Sequence, residues 1–124
     1  MRILIADDEE SMRVLVARAI ALDGHEIVTA QDGAEALEIL TDQDGAFDLL
    51  LTDIKMPVMD GIALALTVAR DFPDLTILLM TGFADQRERA HGLNAIVHDV
   101  VTKPFSVADI RTAVADALAS KARD

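Results

Sequence analysis

Apolar residues along the chain fall into two alternating patterns. Short, nearly continuous runs predict strands: R-I-L-I-A (2–6), H-E-I-V-T-A (25–30), D-L-L-L-T (48–52), T-I-L-L-M (76–80) and V-H-D-V-V (97–101). Three of them are apolar almost throughout, the signature of parallel strands covered on both faces. Between the runs, apolar positions recur with the helical period. Met12, Leu15, Val16, Ala19 and Ile20 make one stripe, and Gly24 is the predicted stop. A second helix starts at Asp32 with Glu35 three residues on, a capping-box variant that turns Ala36, Leu37 and Leu40 inward. A third follows Pro57 and carries Ile62, Ala65, Leu66 and Ala69 on one face. A fourth, more polar, is expected from about Asp85 to Leu93. The fifth opens on another box, Ser106 with Asp109, and turns Ile110, Ala113, Val114, Ala117 and Leu118 inward.

Strict alternation of this kind predicts an α/β fold with a doubly wound sheet. With five strands the expected form is flavodoxin-like, a (βα)5 unit whose five-stranded parallel sheet has the order 2-1-3-4-5. No linker, repeat or low-complexity stretch interrupts the pattern. One domain is expected over residues 1–120, with 121–124 as a short tail and no output domain after it.

The composition agrees with a folded domain. The chain has 124 residues, 52% of them hydrophobic, enough to bury a core. It contains no cysteine, so disulfides and thiol chemistry are excluded. A net charge of −11 disfavours direct binding to a nucleic-acid backbone. Asp7 and Asp8 arrive too early for a signal peptide, and no apolar run approaches the roughly 18–20 residues of a membrane span. A cytoplasmic location is expected.

In an open α/β sheet, ligands sit outside the carboxyl ends of the strands. There the chain places Asp7, Asp8 and Glu9 after strand one, Asp53 after strand three, Thr81 and Gly82 after strand four, and Thr102, Lys103 and Pro104 after strand five. Taken singly, these are ordinary features: a helix cap, a strand end, a turn. Gathered on one rim they are not. Close carboxylates repel by about 3–4 kcal/mol per pair at an effective dielectric near 20. A divalent cation would offset that cost, and an all-oxygen donor set points to Mg²⁺, or Mn²⁺, rather than zinc. A carboxylate can attack phosphorus to form an acyl phosphate. Asp53, on the central strand, is the best-placed acceptor, with Asp7 and Asp8 on the metal. The Lys103 ammonium and the Thr81 hydroxyl are placed to hold phosphoryl oxygens.

With these residues in view, the sequence resembles the response-regulator receiver domains of two-component signalling. The likeness runs the length of the chain, through I-L-I-A-D-D, D-I-K-M-P-V-M-D-G, T-G-F and T-K-P-F, with Thr81 28 residues after Asp53 and Lys103 22 after Thr81. The resemblance implies that Asp53 takes a phosphoryl group from a phosphohistidine of a sensor histidine kinase or histidine phosphotransfer protein. It implies that Asp8, Asp53 and the Lys55 backbone carbonyl bind Mg²⁺ directly, and that Asp7 acts through water. Thr81 would move onto the phosphoryl group, Lys103 would pair with it, and Lys103–Pro104 would be a cis peptide. Such a protein is not an enzyme in the metabolic sense, since it catalyses only its own phosphorylation and dephosphorylation.

One position departs from the family pattern. Receivers commonly carry Tyr or Phe three residues before the lysine, where this chain has Val100. Coupling is then expected to run through Thr81, the G-F-A-D loop and the fourth helix, with Phe83 as a substitute or as plain packing. T-G-F-A, Val100 and the expected lack of an output domain resemble the CpdR-type single-domain receivers of alphaproteobacteria, a group linked to regulated proteolysis and cell-cycle control. Output would then pass to an effector protein on the face of the fourth helix, fifth strand and fifth helix. The alternative is a phosphorelay shuttle that hands the phosphoryl group to a histidine phosphotransfer protein.

Two other classes fit less well. Aspartate-nucleophile phosphatases carry a second carboxylate two residues after the nucleophile, where this chain has Lys55. A flavodoxin needs a hydroxyl-rich phosphate loop after strand one, where this chain has Asp7 and Asp8, and it has no Trp or Tyr to stack on a flavin. His25, His91 and His98 lack metal-ligand spacing and read as surface or packing. Met56 and Met59 read as gap fillers, Asp60 as a cap, Gly61 as a point of close helix approach, and Arg87, Glu88 and Arg89 as a solvated face.

Overall fold

The computed structural model describes residues 1–82 and 92–123, the last three of them as helical backbone. Strands β1 (Arg2–Ala6), β2 (Glu26–Ala30), β3 (Leu49–Asp53), β4 (Thr76–Thr81) and β5 (Asp99–Thr102) form one sheet. Four helices are described: α1 (Glu10–Ala21), α2 (Gly33–Asp42), α3 (Gly61–Asp71) and α4 (Val107–Arg123). The sheet order is β2-β1-β3-β4-β5 with every neighbouring pair parallel, as the alternation predicts. Most of the fourth helix expected from sequence, with Phe83, Arg87, Glu88, Arg89 and His91, lies outside the described residues.

The apolar runs are continuous because both faces of the sheet are covered. Along a strand, successive side chains point to opposite faces. Leu4, Leu50 and Leu79 therefore join one core with Ala36 and Leu40 of α2 and Leu64 and Val68 of α3. Their neighbours Ile3, Ile5, Leu51, Leu78 and Met80 join the other, with Val16 and Ile20 of α1 and Ile110 and Val114 of α4. The central strands β1, β3 and β4 are buried almost throughout, whereas the edge strands β2 and β5 are half-exposed.

Helix starts follow the local signals. The Asp32 carboxylate accepts from the Glu35 amide at 2.8 Å, and Asp60 accepts from Ala63 at 2.8 Å. Ser106 and Asp109 form a complete box, each amide donating to the other's side chain at 3.0 Å. After α1, Gly24 adopts φ +83°, a region that suits glycine.

Two inward faces differ from expectation. Leu15 is 46% exposed and Leu66 is 52% exposed. On α3 the buried stripe is Gly61, Leu64, Ala65 and Val68. This helix is apolar nearly all round, so the 3.6-residue period fits several stripes and cannot choose among them. The choice is made at Gly61. A Cβ there would overlap the Asp53 carbonyl oxygen, so the bare glycine seats the helix against the end of β3. On α1 the docked stripe narrows to Val16, Ala19 and Ile20.

Candidate functional site

The carboxyl ends of β1, β3, β4 and β5 bring the predicted residues together. Asp7 follows directly on β1, and its amide donates to the Ala30 carbonyl at 3.2 Å, which extends the β1–β2 ladder by one residue. Asp53 is the last residue of β3 rather than the first beyond it, in register with Met80. Thr81 ends β4, opposite Thr102 of β5. One residue further, the Lys103 amide donates to the Thr81 carbonyl at 2.7 Å, which turns the lysine toward the rim. The Lys103–Pro104 peptide is cis, as expected from the family pattern.

Burial sets the character of the site. Asp7, Asp53 and Thr81 are buried, Asp8 is exposed, and the Lys103 side chain is largely covered. The Lys103 ammonium stands 3.4 Å from a carboxylate oxygen of Asp7 and 3.4 Å from one of Asp53. The other oxygen of Asp7 accepts from the Glu9 amide at 3.0 Å, and that of Asp53 from the Ile54 amide at 3.0 Å. Even so, burial pushes the Asp53 carboxyl up to about 6, and the charge of Asp7 adds to the shift against the pull of Lys103. Burial likewise raises Asp7, against the Glu9 amide and Lys103. In both carboxyls the loss of solvation outweighs the pull of Lys103.

The chemistry of the donor set fits a hard divalent cation. Oxygens of Asp7, Asp8 and Asp53 lie within 4.8 Å of one another. Opposite oxygens across an octahedral Mg²⁺ are about 4.2 Å apart, so small side-chain rotations close the set around one ion. The cluster borders an open cleft of about 570 Å³ lined by Asp8, Glu9, Asp53, Lys55, Gly82 and Lys103. Thr81 sits one residue behind that lining, at the end of β4.

Two supporting contacts were not foreseen in the sequence. The Arg13 guanidinium donates to the Asp7 carbonyl at 2.8 Å. Its signal was there: a cation in the first turn of α1 opposes the helix dipole. The loop after β3 also leans on α2, where the Gly33 amide donates to the Met59 carbonyl at 3.2 Å. In that loop the Met59 amide returns to the Pro57 carbonyl at 2.7 Å across Val58, whose φ is +68°. This is a γ-turn, costly for a β-branched residue. Other residues behave as read. Asp60 caps α3, Met56 fills the core below the site, and His98 pairs with Asp116 at 3.1 Å on the surface.

Comparison with known proteins follows the geometry. The model of the response regulator receiver domain family matches residues 3–115. The receiver protein CpdR of Brucella abortus is 39% identical over 109 residues, which cover 88% of this chain and 89% of that one. The response regulator MprA of Mycobacterium avium is 33% identical over 110 residues, 89% of this chain but 47% of the relative, so the chain spans about half of that protein's length. Among solved structures, the response regulator TrrA of Thermotoga maritima, in complex with Mg²⁺ and BeF, superposes with a TM-score of 0.81 at 30% identity, covering 93% of this chain and 96% of that one.

Proposed function

The chain belongs to the response regulator receiver domain family, and from that premise we propose that it signals through a phosphoryl group carried on Asp53. The observation that carries this reading is the rim itself. Asp53 is held within 3.4 Å of the Lys103 ammonium, beside Asp7 and Asp8, at the mouth of a cleft open to a donor.

Each residue has a part. With its carboxyl near 6, Asp53 is mostly ionised at neutral pH and can attack phosphorus. The Asp53 oxygen forms the new P–O bond as the P–N bond to the donor imidazole breaks, and the imidazole leaves with the bonding pair. The Lys103 ammonium pairs with a phosphoryl oxygen. The Thr81 hydroxyl supplies a donor to the product state. Asp7, Asp8, Asp53 and the Lys55 backbone carbonyl would hold Mg²⁺, or Mn²⁺, which when bound neutralises charge on the transferred group. Lys55 stands where an aspartate-nucleophile phosphatase has its general acid, so the acyl phosphate persists as a signal. On this reading the protein catalyses only its own phosphorylation and dephosphorylation.

Its donor would be a sensor histidine kinase or histidine phosphotransfer protein in the cytoplasm. The similarity to CpdR supports an adaptor role in regulated proteolysis or cell-cycle control, with an effector protein docking on the face that includes β5 and α4.

Incubation with Mg²⁺ and acetyl phosphate tests the acceptor, with intact mass as the readout. Wild type should gain one phosphoryl group, while Asp53→Asn and an EDTA-treated sample should gain none. A wild type that binds Mg²⁺ yet stays unmodified with both acetyl phosphate and a phosphohistidine donor refutes the reading. Pull-downs with wild type and Asp53→Ala test the adaptor role. Transfer to a histidine phosphotransfer protein, with no state-dependent partner, would show a relay shuttle instead.

A further inference from the structure

Of the three clustered carboxylates, Asp7 and Asp53 are fixed by hydrogen bonds, to the Glu9 and Ile54 amides respectively. Asp8 is different. It is exposed, and its carboxylate accepts no hydrogen bond among the described residues. The Cα–Cβ bond that carries this carboxylate is directed by the backbone, and so by the plane of the peptide joining Asp7 to Asp8. A second side chain holds that plane. From the first turn of α1, Arg13 reaches back and its guanidinium donates to the Asp7 carbonyl at 2.8 Å in a partly buried contact. The Arg13 amide donates to the Glu9 carbonyl at 2.9 Å, so the arginine is itself anchored in the first turn of α1.

We propose that Arg13 is a positioning residue for the divalent cation site: by fixing the Asp7–Asp8 peptide it aims the Asp8 carboxylate at the ion. The inference rests on the phospho-acceptor reading, in which Asp8 is a metal ligand. Its physics has an unusual consequence, because the two effects of Arg13 on a cation have opposite signs. Its charge repels Mg²⁺, while its hydrogen bond preorganises a ligand. It also sits where a cation opposes the α1 dipole.

Calorimetric titration with Mg²⁺ separates these effects. Arg13→Met keeps the apolar stem and loses both donor and charge; Arg13→Lys keeps the charge and a donor one bond shorter than the guanidinium nitrogen. Positioning predicts that Arg13→Met weakens Mg²⁺ binding about 10-fold, in line with the loss of other supporting bonds behind metal ligands, whereas loss of the charge alone would tighten it. Arg13→Lys should recover most of that affinity. Melting in EDTA should be alike for the two variants. Arg13→Ala replaces the Met variant if that one does not fold. Binding by Arg13→Met as tight as wild type, or tighter, overturns the proposal and leaves only the charge effect. Equal weakening in Met and Lys variants overturns it too. A wild type that binds no Mg²⁺ overturns the acceptor reading itself, which separates the two failures.

Discussion

Both ends of the sheet carry a cluster of acids, yet only the cluster at the carboxyl end has buried members. At the carboxyl end stand Asp7, Asp8 and Asp53. At the opposite end Asp44, Asp71 and Asp74 border a shallow cleft of about 190 Å³ with Phe72 and Leu75. There the acids are exposed. Asp71 is held by the Arg70 guanidinium through hydrogen bonds of 2.8 and 3.1 Å, and that bond lowers its carboxyl below the usual value. Asp53, by contrast, is pushed up to about 6, chiefly by burial. The number of acids is the same. What differs is how much water is left to solvate them. At the exposed end, solvent screens the charges and they do little beyond keeping the surface hydrophilic. At the buried end that solvation is lost, and a divalent cation can replace it.

The sharpest way to break this contrast is at the acceptor. Asp53→Asn should abolish covalent phosphorylation completely, and Asp71→Asn should leave it untouched, as read by intact mass. Lys103→Ala should come next. It removes the one ammonium between Asp7 and Asp53, so the metal-free protein should melt at a lower temperature. Some phosphorylation should remain, but the conformational response, followed by amide NMR, should be blunted. Equal responses in wild type and mutant would refute the coupling role of Lys103.

Gly61→Ala should cost about 1–3 kcal/mol of stability, because its Cβ meets the backbone of β3. It should also slow phosphorylation, since the atom displaced is the Asp53 carbonyl oxygen. At the far end, Gly45 has φ +67°, and a Cβ there would meet the movable ring of Phe72. Gly45→Ala should therefore lower the melting temperature without changing the phosphorylation rate.

A smaller effect tests the electrostatics directly. The folded value near 6 lies above the ordinary 3.8, so ionised Asp53 destabilises the metal-free fold. Its penalty is absent below pH 3.8, grows as pH rises through 6, and is complete at neutral pH. In EDTA at pH 7, Asp53→Asn should thus be more stable than wild type by about 1–2 kcal/mol. The gap should close by about pH 4 and shrink when Mg²⁺ is added at pH 7. Smallest of all, Asp71→Asn should leave the melting temperature within experimental error across the same range.

Most of the fold was legible because its signals are local. A continuous apolar run, I-L-I-A in β1 or L-L-L in β3, can only be satisfied by cover on both faces, and Asp32, Asp60 and Ser106 with Asp109 cap the starts of their helices. Less legible was the face a helix presents when it is apolar nearly all round. Leu66 reads as well as Leu64 on α3, and docking at Gly61 decides between them.

The candidate site divides in the same way. The sequence by itself determined which residue types would gather at the carboxyl ends of the strands, because the β-α alternation dictates where each loop emerges. It placed Asp7, Asp8, Asp53, Thr81 and Lys103 on one rim before any coordinate was known. Tertiary structure alone decided which of those carboxylates would be buried, how far Asp53 would be pushed from its ordinary value, and that Arg13 would bind the Asp7 carbonyl. Burial and charge coupling depend on what packs from elsewhere in the chain, at distances of a few ångströms that sequence spacing does not encode. Lys103 is 96 residues from Asp7 along the chain and 3.4 Å from it in space.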